Sequence, residues 1–253
     1  MAVLAAVSMP DRASGATIVG LELSLLVDTS GSVDNSEFLA QRNGYAAAFN
    51  SSAIHALITT LAAQNGGKGL AVNYIQWDAS PAESIKWTLL NNAADSIAFA
   101  STILATPRNG NSGTGVANAI NFATPLFFSN EYDGVRKVID VSGDGADNQS
   151  APGATLTAGN NAIAAGIDRI NGLPILGESG LLSFYQTEVQ HGPNSFTLEI
   201  NSFADFAPAI ERKLSAEIRG TTVPEGGPGP VVGGLLLFGL AAIHKQMQRR
   251  KSA

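Results

Sequence analysis

The sequence predicts an α/β fold: a doubly wound, mostly parallel sheet with one antiparallel edge strand and helices on both faces. Three observations carry this. Short apolar runs with strand character alternate with helical patterns across residues 17–220. Several of those runs are almost continuously apolar, as strands buried on both faces must be. Helix-start signals follow strand ends directly, the pattern of a sheet built from crossover units.

The first strand spans residues 18–27, interrupted in polarity only by Glu22 and Ser24. A helix follows, opened by a capping box in which Asp34 is the N-cap and Glu37 the N3 residue. Val33 and Phe38 occupy the positions of a hydrophobic staple. This helix carries Phe38, Leu39, Tyr45 and Phe49 and fades at Asn50-Ser51-Ser52. A second helical stretch, 53–63, stops at Asn65-Gly66-Gly67. Residues 70–77 alternate as a strand, and 85–89 form its antiparallel neighbour. Helices are expected over 93–105 and 114–126, separated by the polar loop 107–113. A strand over 136–141 runs into Ser142-Gly143-Asp144-Gly145. A helix over 154–170, a short strand over 173–175, a last strand over 196–200 and an amphipathic last helix over 202–218 complete the body. In that helix Phe203, Phe206, Ala209, Ile210 and Leu214 share one face and belong to the core.

Composition narrows the function classes. The chain has 253 residues, 45% of them hydrophobic, and 38 Gly plus Pro, which suits one globular domain with short ends. Its formal charge is −6, and the last ten residues contribute +4, so the remainder carries −10. An acidic body argues against nucleic acid as a partner. With no Cys, disulfides, thiolate metal sites and Cys nucleophiles are excluded. His55, His191 and His244 are far apart and form no ligand-spaced pair; His55 falls on a helix and His191 in a turn before Gly192-Pro193.

Both ends read as addressing segments. Residues 1–8 form a short apolar run, and Ser14-Gly15-Ala16 resembles a small-residue cleavage site, although no basic residue precedes the run. Residues 1–16 are therefore read as a truncated signal peptide. Residues 221–230 form a Gly/Pro linker. Residues 231–243 are apolar, and a basic tail follows to residue 253. As a helix, that run reaches roughly 20 Å, short of a membrane core of about 30 Å. The order Val223-Pro224-Glu225, short apolar helix and Arg-rich end resembles a bacterial PEP-CTERM sorting signal, with Gly226 where a second Pro is usual. The resemblance implies processing near Pro224 and Glu225 by an exosortase and an exported protein, released or attached at the cell surface; the other reading is a plain tail anchor, and both imply at least transient membrane contact through the C-terminal helix.

Chemistry concentrates in three loops. Asp28-x-Ser30-x-Ser32 ends the first strand, with Gly31 easing the turn. Thr114 follows Asn111-Ser112-Gly113 at a helix start. Asp144 lies just past the strand that ends near Ser142-Gly143. In an open α/β sheet, ligands bind outside the carboxyl ends of the strands, where all three loops fall. Hydroxyl and carboxylate oxygens at such a place suit a hard divalent cation. Each residue alone has an ordinary use: Ser32, Asp34 and Thr114 as helix caps, Asp144 as a turn residue beside Gly145. Capping alone does not account for all three loops in this order.

Asp-x-Ser-x-Ser, a later Gly-Thr at a helix start and Ser-Gly-Asp-Gly at a strand end resemble the metal-ion-dependent adhesion site of von Willebrand factor type A domains. The resemblance spans about residues 17–218. Segments 167–175 and 203–218 are similar to a bacterial branch of these domains of unassigned function. It implies direct ligation by the hydroxyls of Ser30 and Ser32, with Thr114 direct or through water. Asp28 and Asp144 are then implied to act through water and by orienting the hydroxyls. A Thr usually precedes the last Asp, so Asp147 is the alternative to Asp144, and Asp78 is a candidate rim charge. Mg²⁺ is the expected cation, with Mn²⁺ or Ca²⁺ also compatible. A vacant coordination position is implied to take a carboxylate from a protein or polysaccharide partner.

Two other readings remain open in the sequence. Asp28-Thr29-Ser30-Gly31-Ser32 faintly resembles the phosphohydrolase Asp-x-Asp-Gly-Thr signature, with Asp28 as nucleophile, but Ser30 replaces the second Asp. The third reading is a structural domain whose metal site stays empty.

Overall fold

The computed structural model describes residues 15–223. The expectations for a signal peptide, for most of the linker, for the C-terminal apolar helix and for Pro224 and Glu225 lie outside the described residues. Among the described residues, no single helix is long and apolar enough to cross a membrane.

A five-stranded sheet forms the centre. Strand β1 (Thr17–Val19) precedes β2 (Leu21–Asp28), which sits in the middle of the sheet. β3 (Leu70–Trp77) lies parallel on one side of β2, and β4 (Ala82–Leu90) is antiparallel beyond it. β5 (Tyr132–Gly134) pairs with β1 in a separate two-stranded sheet. β6 (Lys137–Gly143) and β7 (Arg169–Pro174) lie parallel on the other side of β2. The antiparallel edge strand and the parallel interior are as the sequence predicts.

Helices cover both faces. α1 (Asn35–Phe49), α2 (Ser52–Gln64), α3 (Ala93–Ala105) and α7 (Phe206–Arg219) pack on one side. Leu21, Leu23, Leu25 and Val27 of β2 join Tyr45, Phe49, Phe99 and Phe206 in that core. α4 (Val116–Leu126) and α5 (Ala154–Ala165) cover the other face, where Leu26, Ile75, Trp77 and Val141 are buried. The split follows the two-residue period of a strand. α6 (Leu181–Phe184) runs into a π-helical turn, Tyr185–Val189, on that second side.

Several boundaries differ from expectation. The predicted strand over 18–27 is two strands, because the chain breaks at Gly20, where a Cβ would stand 2.6 Å from Asn65 Nδ2. The strand expected over 136–141 continues through Ser142 and Gly143. The helix expected over 154–170 stops at Ala165, because Gly166 takes a left-handed φ of 112° and turns the chain into β7. The strand expected over 173–175 therefore begins at Arg169 and ends at Pro174. Residues 196–200 make bridges to β7 rather than a full strand: the Gly172 N–H donates to Phe196 O, and the Leu198 N–H donates to Gly172 O. The last helix opens with a 3₁₀ turn, Phe203–Asp205. Neither β5 nor the α6 turn carries enough periodicity to be foreseen.

The parallel register aligns the site. Asp28 pairs with Trp77 and Val27 with Ser142, so the ends of β2, β3 and β6 emerge at one rim.

Candidate cation site at the sheet rim

The first loop leaves β2 at Asp28, which is fully buried. Asp28 Oδ1 accepts the Ser30 N–H at 2.8 Å, and Oδ2 accepts the Asp144 N–H at 3.3 Å. Its carbonyl oxygen accepts from Gln41 Nε2 at 2.9 Å, which ties the strand end to α1. Burial pushes the Asp28 carboxyl up to about 7; the N–H of Ser30 opposes this, and the Asp144 charge adds to it. The capping box forms as predicted: Asp34 Oδ1 accepts the Glu37 N–H, and Glu37 Oε2 accepts the Asp34 N–H.

The hydroxyls of Ser30 and Ser32 stand 3.1 Å apart. Thr114 Oγ1 lies 3.4 Å from Ser30 Oγ. The Ser32 hydroxyl donates to Asp144 Oδ1 at 2.6 Å. The structure thus brings Asp28, Ser30, Ser32, Thr114 and Asp144 together from three loops. Burial is the main influence raising the Asp144 carboxyl; the Ser32 hydroxyl lowers it and the Glu178 charge raises it.

Thr114 is not a helix residue, as the expected start of α4 had it. The helix begins at Val116 after Gly115, which supplies no capping side chain. Asp147 Oδ2 caps it instead, accepting the Ala117 N–H at 2.7 Å. Asp147 Oδ1 accepts from Gln149 N and Ser150 N. Asp147 is thereby committed to the helix and its own turn, and Asp144 is the carboxylate that meets the hydroxyls. Asn148 fixes Thr114: its Oδ1 accepts the Thr114 N–H, and its own N–H donates to Thr114 O, both at 2.9 Å.

Asp78 is buried rather than a rim charge. Its Oδ2 accepts the Asn111 N–H, the Ser112 N–H and the Ser112 hydroxyl, and its Oδ1 accepts the Ser80 N–H. Burial would raise its carboxyl, but these hydrogen bonds together hold it below the ordinary value. Arg108 was not singled out from sequence, although it is the one cation in the polar loop 107–113. Its Nη2 donates to the carbonyl oxygens of Thr29, Ser30 and Val33, at 3.1, 3.0 and 2.6 Å. The Gly31 N–H donates to Ser112 O at 2.7 Å, a second clamp between the two loops.

His55 and His191 take no part here. His55 Nε2 bonds to Phe49 O, and His191 Nδ1 to Val189 O.

The cluster borders a cleft of about 840 Å³ lined by Ser32, Glu37, Thr114, Asp144, Glu178 and Phe203 among others. Among the described residues, no three His, Cys, Asp or Glu side chains gather as a metal-holding group. The donor set is instead hydroxylic, with carboxylates behind. Around a six-coordinate Mg²⁺ with oxygens at about 2.1 Å, neighbouring ligand oxygens stand about 3 Å apart. The Ser30–Ser32 and Ser30–Thr114 separations, 3.1 and 3.4 Å, suit adjacent positions on such a shell.

Residues 18–222 match the model of the family described as protein of unknown function (DUF1194). No curated protein matches the sequence. Solved structures share the fold. Proximal thread matrix protein 1 from the mussel byssus, with a zinc-occupied MIDAS motif, has a TM-score of 0.58 at 14% identity, over 81% of this chain and 49% of that one. The pilus adhesin SpaC from Lactobacillus rhamnosus GG, in an open conformation, has a TM-score of 0.57 at 14% identity, over 79% of this chain and 30% of that one. The von Willebrand factor domain of the type V pili tip protein Mfa5 from Porphyromonas gingivalis has a TM-score of 0.56 at 12% identity, over 83% of this chain and 98% of that one. The chain spans about half the length of the mussel protein. Such identities establish the fold alone, a mostly parallel α/β sheet of the von Willebrand A type.

Proposed function

We propose a function for this chain, which belongs to the DUF1194 family: it is an exported, cell-surface binding module of adhesion type that works through a divalent cation, Mg²⁺ first. The observation that carries this reading is the meeting of the Ser30, Ser32 and Thr114 hydroxyls within 3.4 Å of one another along the chain Ser32–Ser30–Thr114. In this reading those hydroxyls hold the ion, and Asp28 and Asp144 orient them and the surrounding water. A bound cation would supply a Lewis-acidic position for a carboxylate on a protein or polysaccharide partner. Neutral hydroxyl ligands leave most of the ion's charge for that partner.

The named neighbours are adhesion and structural proteins, which favours binding over catalysis. A nucleophilic role for Asp28 fits poorly, since the carboxylate is fully buried and both its oxygens accept backbone N–H groups.

Titration calorimetry with Mg²⁺ tests the reading. Wild-type protein should bind the ion and melt at a higher temperature in Mg²⁺ than in EDTA, because a ligand of the folded state alone stabilises it. Ser30→Ala and Asp28→Ala should lose binding; Ser30→Ala removes one hydroxyl and serves where Asp28→Ala perturbs folding. Undiminished binding in the folded variants, or a melting temperature indifferent to Mg²⁺ and EDTA, removes the assignment.

A further inference from the structure

We propose that Tyr185 is a positioning residue of this site, its hydroxyl steadying the Asp28 carboxylate through one buried water. The proposal rests on the cation-binding reading above.

Tyr185 is fully buried, and its hydroxyl has no hydrogen-bond partner among the described residues. Buried O–H groups seldom stay unpaired. Two glycines clear its path. A Cβ on Gly172 would lie 2.6 Å from the Tyr185 ring at Cδ1. A Cβ on Gly143 would lie 3.0 Å from the Tyr185 hydroxyl and 2.5 Å from Asp28 Oδ2. Both oxygens therefore surround one point and lie at most 5.5 Å apart without a direct hydrogen bond, a span that a single bridging water covers. Trp77 Cζ2 stands 3.0 Å from the same point and closes the space with an aromatic wall.

The demand on Asp28 matches the supply from Tyr185. Asp28 Oδ1 is taken by the Ser30 N–H at 2.8 Å, while Oδ2 accepts the Asp144 N–H at the longer distance of 3.3 Å. Oδ2 thus keeps acceptor capacity, and Tyr185 brings an unused donor. A phenol keeps its proton at neutral pH, so Tyr185 offers a donor there. Local backbone geometry delivers the ring: α6 gives way at Tyr185 to the wider π-helical turn Tyr185–Val189. Asp28 in turn holds the Ser30 N–H, so Tyr185 acts on the hydroxyl cluster through Asp28.

The test uses the full chain and Tyr185→Phe, which removes one oxygen atom and keeps the ring. The expected result is Mg²⁺ affinity weaker by about tenfold, the scale of losing a group behind a metal ligand. The melting temperature in EDTA should fall by no more than a few degrees, as loss of one buried hydrogen bond does, so the variant stays folded while its Mg²⁺ affinity drops. Wild-type protein should also give a tyrosine near-ultraviolet difference signal on Mg²⁺ addition that Tyr185→Phe lacks. A crystal structure of EDTA-treated wild type should show the hydroxyl linked to Asp28 by one water. Equal Mg²⁺ affinity in the two proteins, or a crystal structure without that link, overturns this proposal alone. Wild-type protein that binds no Mg²⁺ overturns the cation-binding reading, and the positioning role with it.

Discussion

The Ser32 hydroxyl donates to Asp144 Oδ1 at 2.6 Å, joining two loops 112 positions apart in the chain. Asp147, three residues further on, faces the other way and caps α4 through the Ala117 N–H. The two carboxylates should therefore separate cleanly by experiment. Asp144→Ala is expected to weaken Mg²⁺ binding by about 10- to 100-fold, since it orients a ligand. Asp147→Ala is expected to cost about 1 kcal/mol of stability, as loss of a cap does, with Mg²⁺ affinity retained. Calorimetry and urea denaturation on the same two variants decide it. The reverse pattern would exchange their roles.

Arg108 is the support under the first loop. One guanidinium nitrogen serves the carbonyl oxygens of Thr29, Ser30 and Val33, and Nε bonds Gly110 O. Hydrogen bonds to a charged donor are worth about 1.5–3 kcal/mol, so Arg108→Ala should lower unfolding free energy by about that much. Because Ser30 hangs on the same loop, Mg²⁺ affinity should fall as well. Arg108→Lys should rescue only part of both losses, because a single ammonium cannot serve the loop carbonyls while Gly110 O and Asn35 Oδ1 are also held, as the guanidinium does with Nε and Nη1. Full retention of affinity in Arg108→Ala would show that the loop holds its shape without the clamp.

The order of strands and the three site loops were legible because they depend on local signals: an apolar run, a capping box, an Asp-x-Ser-x-Ser turn. Leu70–Trp77 and Ala93–Ala105 emerge with the bounds expected for them, each being a strongly patterned segment between clear breaks. What stayed hidden depends on residues distant in sequence. Asp147 caps a helix that begins 31 residues earlier, so Thr114 looked like the helix start. Asp78 resembled a rim acid until the N–H groups of Asn111 and Ser112 were seen to converge on it. Tyr185 carries no signal in the sequence that marks it out; the spaces at Gly143 and Gly172 set its hydroxyl beside Asp28. Residues 167–170 looked helical because their apolar spacing continues that of α5, and Gly166 alone marks the break.

A buried charge cluster under α7 supports the last prediction. Lys213 Nζ lies 2.8 Å from Asp140 Oδ2 and 2.6 Å from Glu217 Oε1, and all three side chains are fully buried. Asn171 Nδ2 also donates to Glu217 Oε1, at 2.9 Å. Two carboxylates share one ammonium here. Burial foremost, then the Asp140 charge, raises the Glu217 carboxyl against the pull of Lys213. Lys213→Met would leave both acids without a cation and should cost about 3–5 kcal/mol, whereas replacing all three by apolar residues of similar volume should cost far less. The pH dependence follows in sign. Glu217 binds its proton more tightly in the folded chain than in the unfolded one, where it takes its ordinary value of 4.5. The folded state thus holds more protons above that value, so this contribution to stability is present in acid and is lost as pH rises through the raised folded value. Chemical denaturation at about pH 5 and about pH 9 should show wild-type stability falling with pH, and Glu217→Gln should fall less. Equal slopes in the two proteins would mean that Glu217 is already ionised in the fold, its charge held by the Lys213 ammonium.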